Sequence, residues 1–463
     1  MNSIAKFFTI YWILYFPLCI AYYDVAGFQS IDEVMTAILI VYTFVMKRHP
    51  ETNPEPWREY FRFLWILVFF VIYSLIMQVN VAGAVWIEFV QQMRPFSIIY
   101  CTWILNPQFT EKQKKWILTA MIATLASWIY YHPASIENAK AEFPVLGQLA
   151  ICTGMAYYLF TEETRKNKWI ALAIVFVGLL APKFKFLGEV VCFIAMLFYV
   201  KDKLDFKSPK TIVVVTLIMI VVIMVTWTKF DAYYVSGWSN EALARPMTYK
   251  TSLQILWDYF PLGPGMGTFA SWGAAEYYSP LYYHYHLNNI WGLQPTFNVF
   301  IADAFYPTLS QYGIAGVILF CIFWKRRLTA LNAIEDARYY RVAVITFFCL
   351  VIEQTADTSW LSGKGMGYCM LIGLCLNANL NASPDPSEGG ELAYEEEEET
   401  ASPDPIPEQS SPTRSLSKGG EIAYEDEDET ASPDPIPEQS SPTRSLSEGG
   451  EMAYKSEEGR ELV

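Results

Sequence analysis

The sequence predicts an all-α polytopic membrane protein with about twelve transmembrane helices, one large outer loop and a disordered cytoplasmic tail. Three observations predict it. The 463 residues are 53% hydrophobic and only 17% charged, and the apolar residues gather in runs such as Phe63 to Val79 and Thr211 to Thr228. Runs of about 18 to 20 residues match a hydrocarbon core about 30 Å thick at about 1.5 Å per residue. Second, Lys and Arg alternate loop by loop between two sides. Third, the formal charge of −14 belongs to the tail. From Ser383 to Val463 stand 23 Asp and Glu against 5 Lys and Arg, while the rest of the chain is mildly basic. The composition excludes an ordinary soluble globular protein, and the acidity says nothing about a substrate.

Twelve apolar runs are the expected spans, at about 4–22, 31–46, 62–79, 84–105, 115–131, 143–161, 169–181, 187–200, 211–228, 297–324, 341–357 and 365–380. The first has one lysine, Lys6, near its start and no small-residue cleavage site, so it reads as a retained helix rather than a signal peptide. The seventh and eighth are short and separated only by Pro182 to Phe186, as a tilted hairpin or re-entrant pair would be. All eight Cys fall in apolar segments and no C-x-x-C occurs. Such cysteines act as small hydrophobes, which argues against disulfides and zinc.

Orientation follows from the basic residues. With the N-terminus inside, the inner loops carry the clusters at Lys47 to Arg62, Lys112 to Lys115, Arg165 to Lys168, Lys201 to Lys210 and Lys325 to Arg341. The outer loops hold only Lys140, Lys183, Lys185, Lys229, Arg245, Lys250 and Lys364. Both termini are then cytoplasmic. The outer loop from Lys229 to Pro295 is polar and aromatic, with a helix-like stretch at Arg245 to Tyr259, and it dominates a bundle of otherwise short loops. Such a loop is where function is expected. The organisation is a membrane domain over 1–380 and a tail over 381–463. The tail repeats Gly-Gly-Glu-x-Ala-Tyr at Gly389, Gly419 and Gly449, and its Pro and self-repelling Glu runs predict disorder. An inert repeat expansion fits it as well as an interaction tail.

Several residues stand out chemically. Arg94, in the fourth run beside Pro95, is either an anion ligand or a structural arginine paired with Glu88; intramembrane charges are costly and rare. Lys183 and Lys185 break the inside-positive trend on a very short turn, so they meet either an anionic ligand or lipid headgroups. Arg245 precedes Pro246 at the start of the loop helix, where amides and a guanidinium can hold phosphate. Ser252, Ile255, Leu256 and Tyr259 would face the bundle. Pro261-Leu-Gly-Pro-Gly-Met-Gly-Thr-Phe269 lacks the Lys-Ser/Thr ending of a nucleotide P-loop. Gly265 and Gly267 there read as a tight turn that lets the backbone approach something closely. His284 and His286, two of only four histidines, are general-base candidates; no third ligand cluster makes them a metal pair. Glu353 and Asp357, one helical turn apart, either relay protons or pair with Lys364 or Arg94.

This combination resembles the O-antigen polymerase and O-antigen ligase superfamily. The shared pattern is a loop arginine followed by a helix, then the Gly-rich 261–269 segment, then the His/Asn-rich aromatic stretch, then Gln311-Tyr-Gly-Ile-Ala-Gly316. It covers about residues 1–380. The resemblance implies a glycosyltransferase of the bacterial inner membrane that acts on undecaprenyl-diphosphate-linked oligosaccharide at the periplasmic face. It implies neither metal nor cofactor and no nucleic-acid partner; the bilayer and a chain-length-regulating membrane protein are the expected partners besides substrate. Under it Arg245 is the loop arginine, His284 or His286 stands in the region of the ligase-type histidine, and Lys183 and Lys185 match a basic turn. Arg94, Gly265 and Gly267 join the expected diphosphate set. The histidine stretch lacks the small-residue motif of the ligases, which favours a repeat-unit polymerase. The alternatives are a ligase that moves finished glycan to an acceptor, and a transporter or flippase of lipid-linked sugar.

Overall fold

Long apolar runs with few breakers form helices, and the computed structural model is predominantly helical. It describes residues 3–24, 30–131, 145–180, 183–200, 203–204 and 208–381. The expectations for Lys140, Pro182, Lys201, Lys207 and the repeat tail fall outside those residues, as do the side chains of Cys19 and Lys364. Among the described residues there is no β-strand, only one isolated antiparallel bridge between Gln294 and Phe297.

Among the described residues thirteen longer helices carry the architecture: α1 (Ser3–Asp24), α2 (Ile31–Val45), α3 (Pro56–Met77), α4 (Ala82–Leu105), α5 (Glu111–Tyr131), α6 (Val145–Phe160), α7 (Arg165–Phe176), α8 (Phe184–Ile194), α9 (Pro209–Val225), α10 (Ala244–Asp258), α11 (Gly313–Asn332), α12 (Ala337–Glu353) and α13 (Gly363–Cys375). Local chemistry sets their ends. α3 and α9 begin with proline, whose fixed φ suits the first turn. Thr164 and Asp336 cap α7 and α12 by accepting backbone N–H bonds. α3 and α4 stop at left-handed Gln78 and Asn106.

A helix overlaps each of the twelve apolar runs, but the helices differ in length from those runs. Among the described residues, only α3, with 22 residues, is both long and apolar enough by itself to cross a membrane; α9 passes together with the segment to Ser239, across an 82° bend. α8 has 11 residues and α13 has 13. α4 is long at 24 residues, yet Glu88, Gln91, Gln92 and Arg94 lower its hydropathy. The tenth run shifts most. Its helix α11 begins at Gly313 rather than near 297 and continues to Asn332. Residues 297–304 are turns, followed by the short helix Phe305–Thr308 and a tight turn Leu309–Tyr312. Of the apolar residues there, Ile301 and Ala304 are buried, while Phe297 and Val299 are exposed.

α13 packs against α4, α6 and α12, while α8 packs on α9 and α12. α6 is buried along almost its whole length. The periphery inverts the usual pattern. Trp65 (72% exposed), Ile76 (74%) and Met224 (69%) point outward, whereas Asp32, Glu88, Arg94, Glu189, Arg327 and Glu353 are buried.

Candidate functional site

Four chain segments meet around one cavity of about 640 Å³. The start of α8 brings Lys183, just before the helix, and Lys185, in its first turn. The end of α9 and its bent continuation bring Thr226, Lys229, Tyr233 and Tyr234. α10 brings Arg245 and Tyr249, and the end of α12 with its following turn brings Thr355 and Asp357. Three cations picked out by the sequence, Arg245, Lys183 and Lys185, therefore line a common space, and Lys229 joins them.

Arg245 lies in the first turn of α10, just before Pro246, at a place where a missing proline N–H costs nothing. Its Nε donates to Asp303 Oδ2 at 2.8 Å, and Nη2 donates to the same oxygen. Its guanidinium carbon stands 4.5 Å from the centre of the Tyr233 ring, a cation–π contact. These contacts hold the Nε edge and leave the Nη1 edge for a ligand. α10 buries Pro246, Thr248, Thr251, Ser252 and Ile255 against the bundle, so Ser252 and Ile255 face inward as expected; Leu256 and Tyr259 are half-buried.

Lys185 is only 12% exposed and bonds Glu353 Oε2 at 2.6 Å and Asp357. Glu353 is the last residue of α12 and Asp357 lies past its end, not one turn further along the same helix as expected, and both meet Lys185. The reason is the tertiary path: α8 lies on α12, with Lys185 at its start opposite the C-terminal end of α12. The nearby carboxylates raise the Lys185 pKa despite its burial, which acts the other way. Behind this triad Ser359 Oγ donates to Glu353 at 2.7 Å and Gln148 Nε2 donates to Ser359 at 3.1 Å. Tyr234 and Tyr249 both donate to the Thr355 carbonyl, at 2.8 and 2.9 Å. Burial raises both phenol pKa values, so they remain protonated donors.

The other expected site residues stand elsewhere. Arg94 is buried in ion pairs with Asp32 and, at 3.1 Å, with Glu33. It does not pair with Glu88, whose Oε1 instead accepts from Gln92 at 2.8 Å, Gln311 at 3.3 Å and Tyr312 at 3.4 Å. Gly265 (φ +103°) and Gly267 (φ +72°) do bring backbone close to something, and that something is the protein. A Cβ at Gly265 would meet Ser74 Oγ at 2.9 Å, and one at Gly267 would meet the Ala84 carbonyl at 2.5 Å. The Gly-rich turn is therefore fastened to α3 and α4. Thr268 N–H donates to Gln311 Oε1 at 2.9 Å, which joins it to the Gln311–Gly316 segment. His284 and His286 are exposed on the loop and do not line the cavity; His286 is left-handed, at φ +56°. Arg94, Gly265, Gly267 and both histidines thus stand apart from the basic cavity.

Sequence reasoning missed the Tyr233, Tyr234, Tyr249 and Thr355 wall. The signal available was the cluster of loop tyrosines, which also reads as an interfacial belt. Asp303 as the orienting partner of Arg245 had no local signal, because 58 residues separate the two. Compared with known proteins, the chain matches no family model and no curated protein sequence.

Proposed function

We propose that this chain is an inner-membrane glycosyltransferase that polymerises polyprenyl-diphosphate-linked oligosaccharide repeat units into a cell-surface polysaccharide. The observation that carries the reading is the cavity joining Arg245, Lys183, Lys185 and Lys229 from three segments on the side assigned to the outside by the positive-inside rule. Preorganised cations facing a departing diphosphate are a large catalytic term. Asp303, Glu353 and Asp357 orient two of these cations, which leaves the group with a net positive charge. The aromatic wall suits sugar faces and lipid.

Membrane residence is supported by the inverted periphery. α9 is apolar all round and exposes Ile212, Val213, Leu217 and Met224, a surface that water does not favour. About twelve crossings then require several short helices to span with their tight-turn or π-turn extensions, such as Val177–Leu180 after α7 and Ala195–Tyr199 after α8.

In the reaction the acceptor hydroxyl oxygen attacks the anomeric carbon of the donor sugar. The bond from that carbon to the diphosphate oxygen breaks, and the diphosphate leaves with the electron pair, held by Arg245 and the lysines. The acceptor proton passes to a carboxylate of the site, Asp357 at the wall or Asp303 beside Arg245. Polymerase is favoured over ligase because the two histidines stand outside this cavity.

The test is glycan analysis of a deletion strain carrying wild type or Arg245→Ala, with protein level measured in parallel. Polymerase function predicts single repeat units in the deletion strain and no long chains with Arg245→Ala at normal protein level. Full-length polymer from Arg245→Ala would overturn the site. Long polymer accumulating on the lipid carrier in the deletion strain would establish the ligase reading instead. Unchanged surface glycan would reject both.

A further inference from the structure

A second cavity, of about 320 Å³, lies between α3 and α11 over the face of α4. The two helices run antiparallel along it. At one end the rings of Phe70 and Tyr312 meet edge to face at 5.1 Å; at the other Arg327 Nη2 bonds Glu59. From Glu59 to Phe70 is eleven residues, hence about 16 Å of groove at about 1.5 Å per residue. That length equals one leaflet, half of a hydrocarbon core about 30 Å thick. Phe63, Leu67, Phe96, Leu319 and Phe320 line the groove, and it ends among Arg62, Arg326 and Arg327.

Arg327 is the unusual member. It is 2% exposed, and its Nε and Nη1 have no hydrogen-bond partner. The rings of Trp103, Tyr100 and Phe323 lie 4.5, 5.4 and 5.7 Å from its guanidinium carbon. Aromatic faces stabilise the charge but offer no lone pair to an N–H. A buried donor without an acceptor is costly, and a guanidinium edge is matched by phosphate oxygens. Three arginines stand here against one carboxylate, Glu59.

We propose that this groove is a binding site for an anionic phospholipid of the cytoplasmic leaflet, with one acyl chain between α3 and α11 and the phosphate at Arg62, Arg326 and Arg327. The inside-positive clusters put this end at the cytoplasmic face, where basic pockets between helices select anionic headgroups. The proposal rests on the membrane placement argued above and is independent of glycosyl transfer.

The test uses the full chain purified in non-ionic detergent, with bound lipid counted by native mass spectrometry. Phosphatidylglycerol, phosphatidylcholine of the same chains, and inorganic phosphate are supplied separately and in competition. Wild type is expected to retain phosphatidylglycerol preferentially, and inorganic phosphate is not expected to displace it. Arg62→Gln with Arg326→Gln, both exposed side chains, is expected to lower retention about tenfold with an unchanged melting temperature. Leu319→Trp, which fills the groove, is expected to remove retention while the arginines remain. Equal retention of phosphatidylcholine, displacement by inorganic phosphate alone, or full retention in the double arginine variant would each overturn the proposal. A protein released from membranes by alkaline carbonate would overturn both this proposal and the one above. A membrane-resident protein without lipid preference would overturn this one alone.

Discussion

Arg245 and Lys185 illustrate how two cations in one cavity carry different burdens. Arg245 is held at the cavity wall by Asp303, which is itself 26% exposed, so its loss leaves no deeply buried charge behind. Lys185 faces Glu353, which is 1% exposed, together with Asp357. Removing a partner from a buried ion pair costs about 3–5 kcal/mol, since the remaining charge loses its counter-ion. Lys185→Met is therefore expected to lower the melting temperature and the protein level, and adding Glu353→Gln to restore part of both. Arg245→Ala should leave melting nearly unchanged while polymer disappears. Thermal melts in detergent beside glycan gels separate the two roles. The histidines give a complementary expectation. A lost general base costs about 10²–10⁴-fold in rate, whereas His284→Ala and His286→Ala should keep polymer length and yield close to wild type. A loss of that size at normal protein level would return the base to the loop.

Among the elements, the Gly-rich turn shows how one motif supports two opposite expectations. Positive φ and close approach were legible in Pro261 to Phe269, because glycine is the residue that tolerates both. What the turn approaches was not legible. The sequence does not say that Ser74 of α3, Ala84 of α4 and Gln311 stand beside it. Packing against protein makes these glycines structural. Gly267→Ala should then destabilise by about 1–3 kcal/mol from left-handed strain alone, with further loss from the Ala84 carbonyl contact. The corresponding measurement is a melting curve. Full stability with lost transfer would instead assign Gly267 to the ligand. Helix boundaries follow the same logic. α10 was readable to within a residue because its start, Leu243-Ala-Arg-Pro, is local. The start of α11 was not, because Phe297 to Ala304 is apolar yet folds as turns, with Val299 exposed and Ile301 buried.

At the scale of the molecule, the outward apolar surface and the buried charges are two sides of one solvent argument. In the proposed membrane setting, lipid rewards Trp65 and Met224 on the outside and penalises Arg94 or Glu353 unless partners meet them inside. The chain is expected to stay in the membrane pellet after alkaline carbonate washing, and a cysteine placed in the 229–296 loop to react with an impermeant maleimide from the periplasmic side. Labelling only after the inner membrane is opened would invert the topology and detach the basic cavity from a periplasmic donor. The tail stands apart from this argument. Its excess of 18 acidic over basic residues from Ser383 onward is a composition expected to stay out of a packed core. Ending the chain at Asn381 is accordingly expected to leave polymer formation intact.

The all-α class, the loop helix and the three cations Lys183, Lys185 and Arg245 were readable from the sequence alone. Each depends on local signals: apolar run length, a proline in a first turn, and charges out of step with the loop pattern. Tertiary structure alone decided which side chains meet. Asp303 comes to Arg245 across 58 residues, and Glu353 with Asp357 comes to Lys185 across 168 and 172. Arg94 chooses Asp32 over Glu88, although Glu88 lies on its own helix. Charge type is written in each residue, but a buried charge takes as its partner whatever opposite group the packing of helices brings within reach.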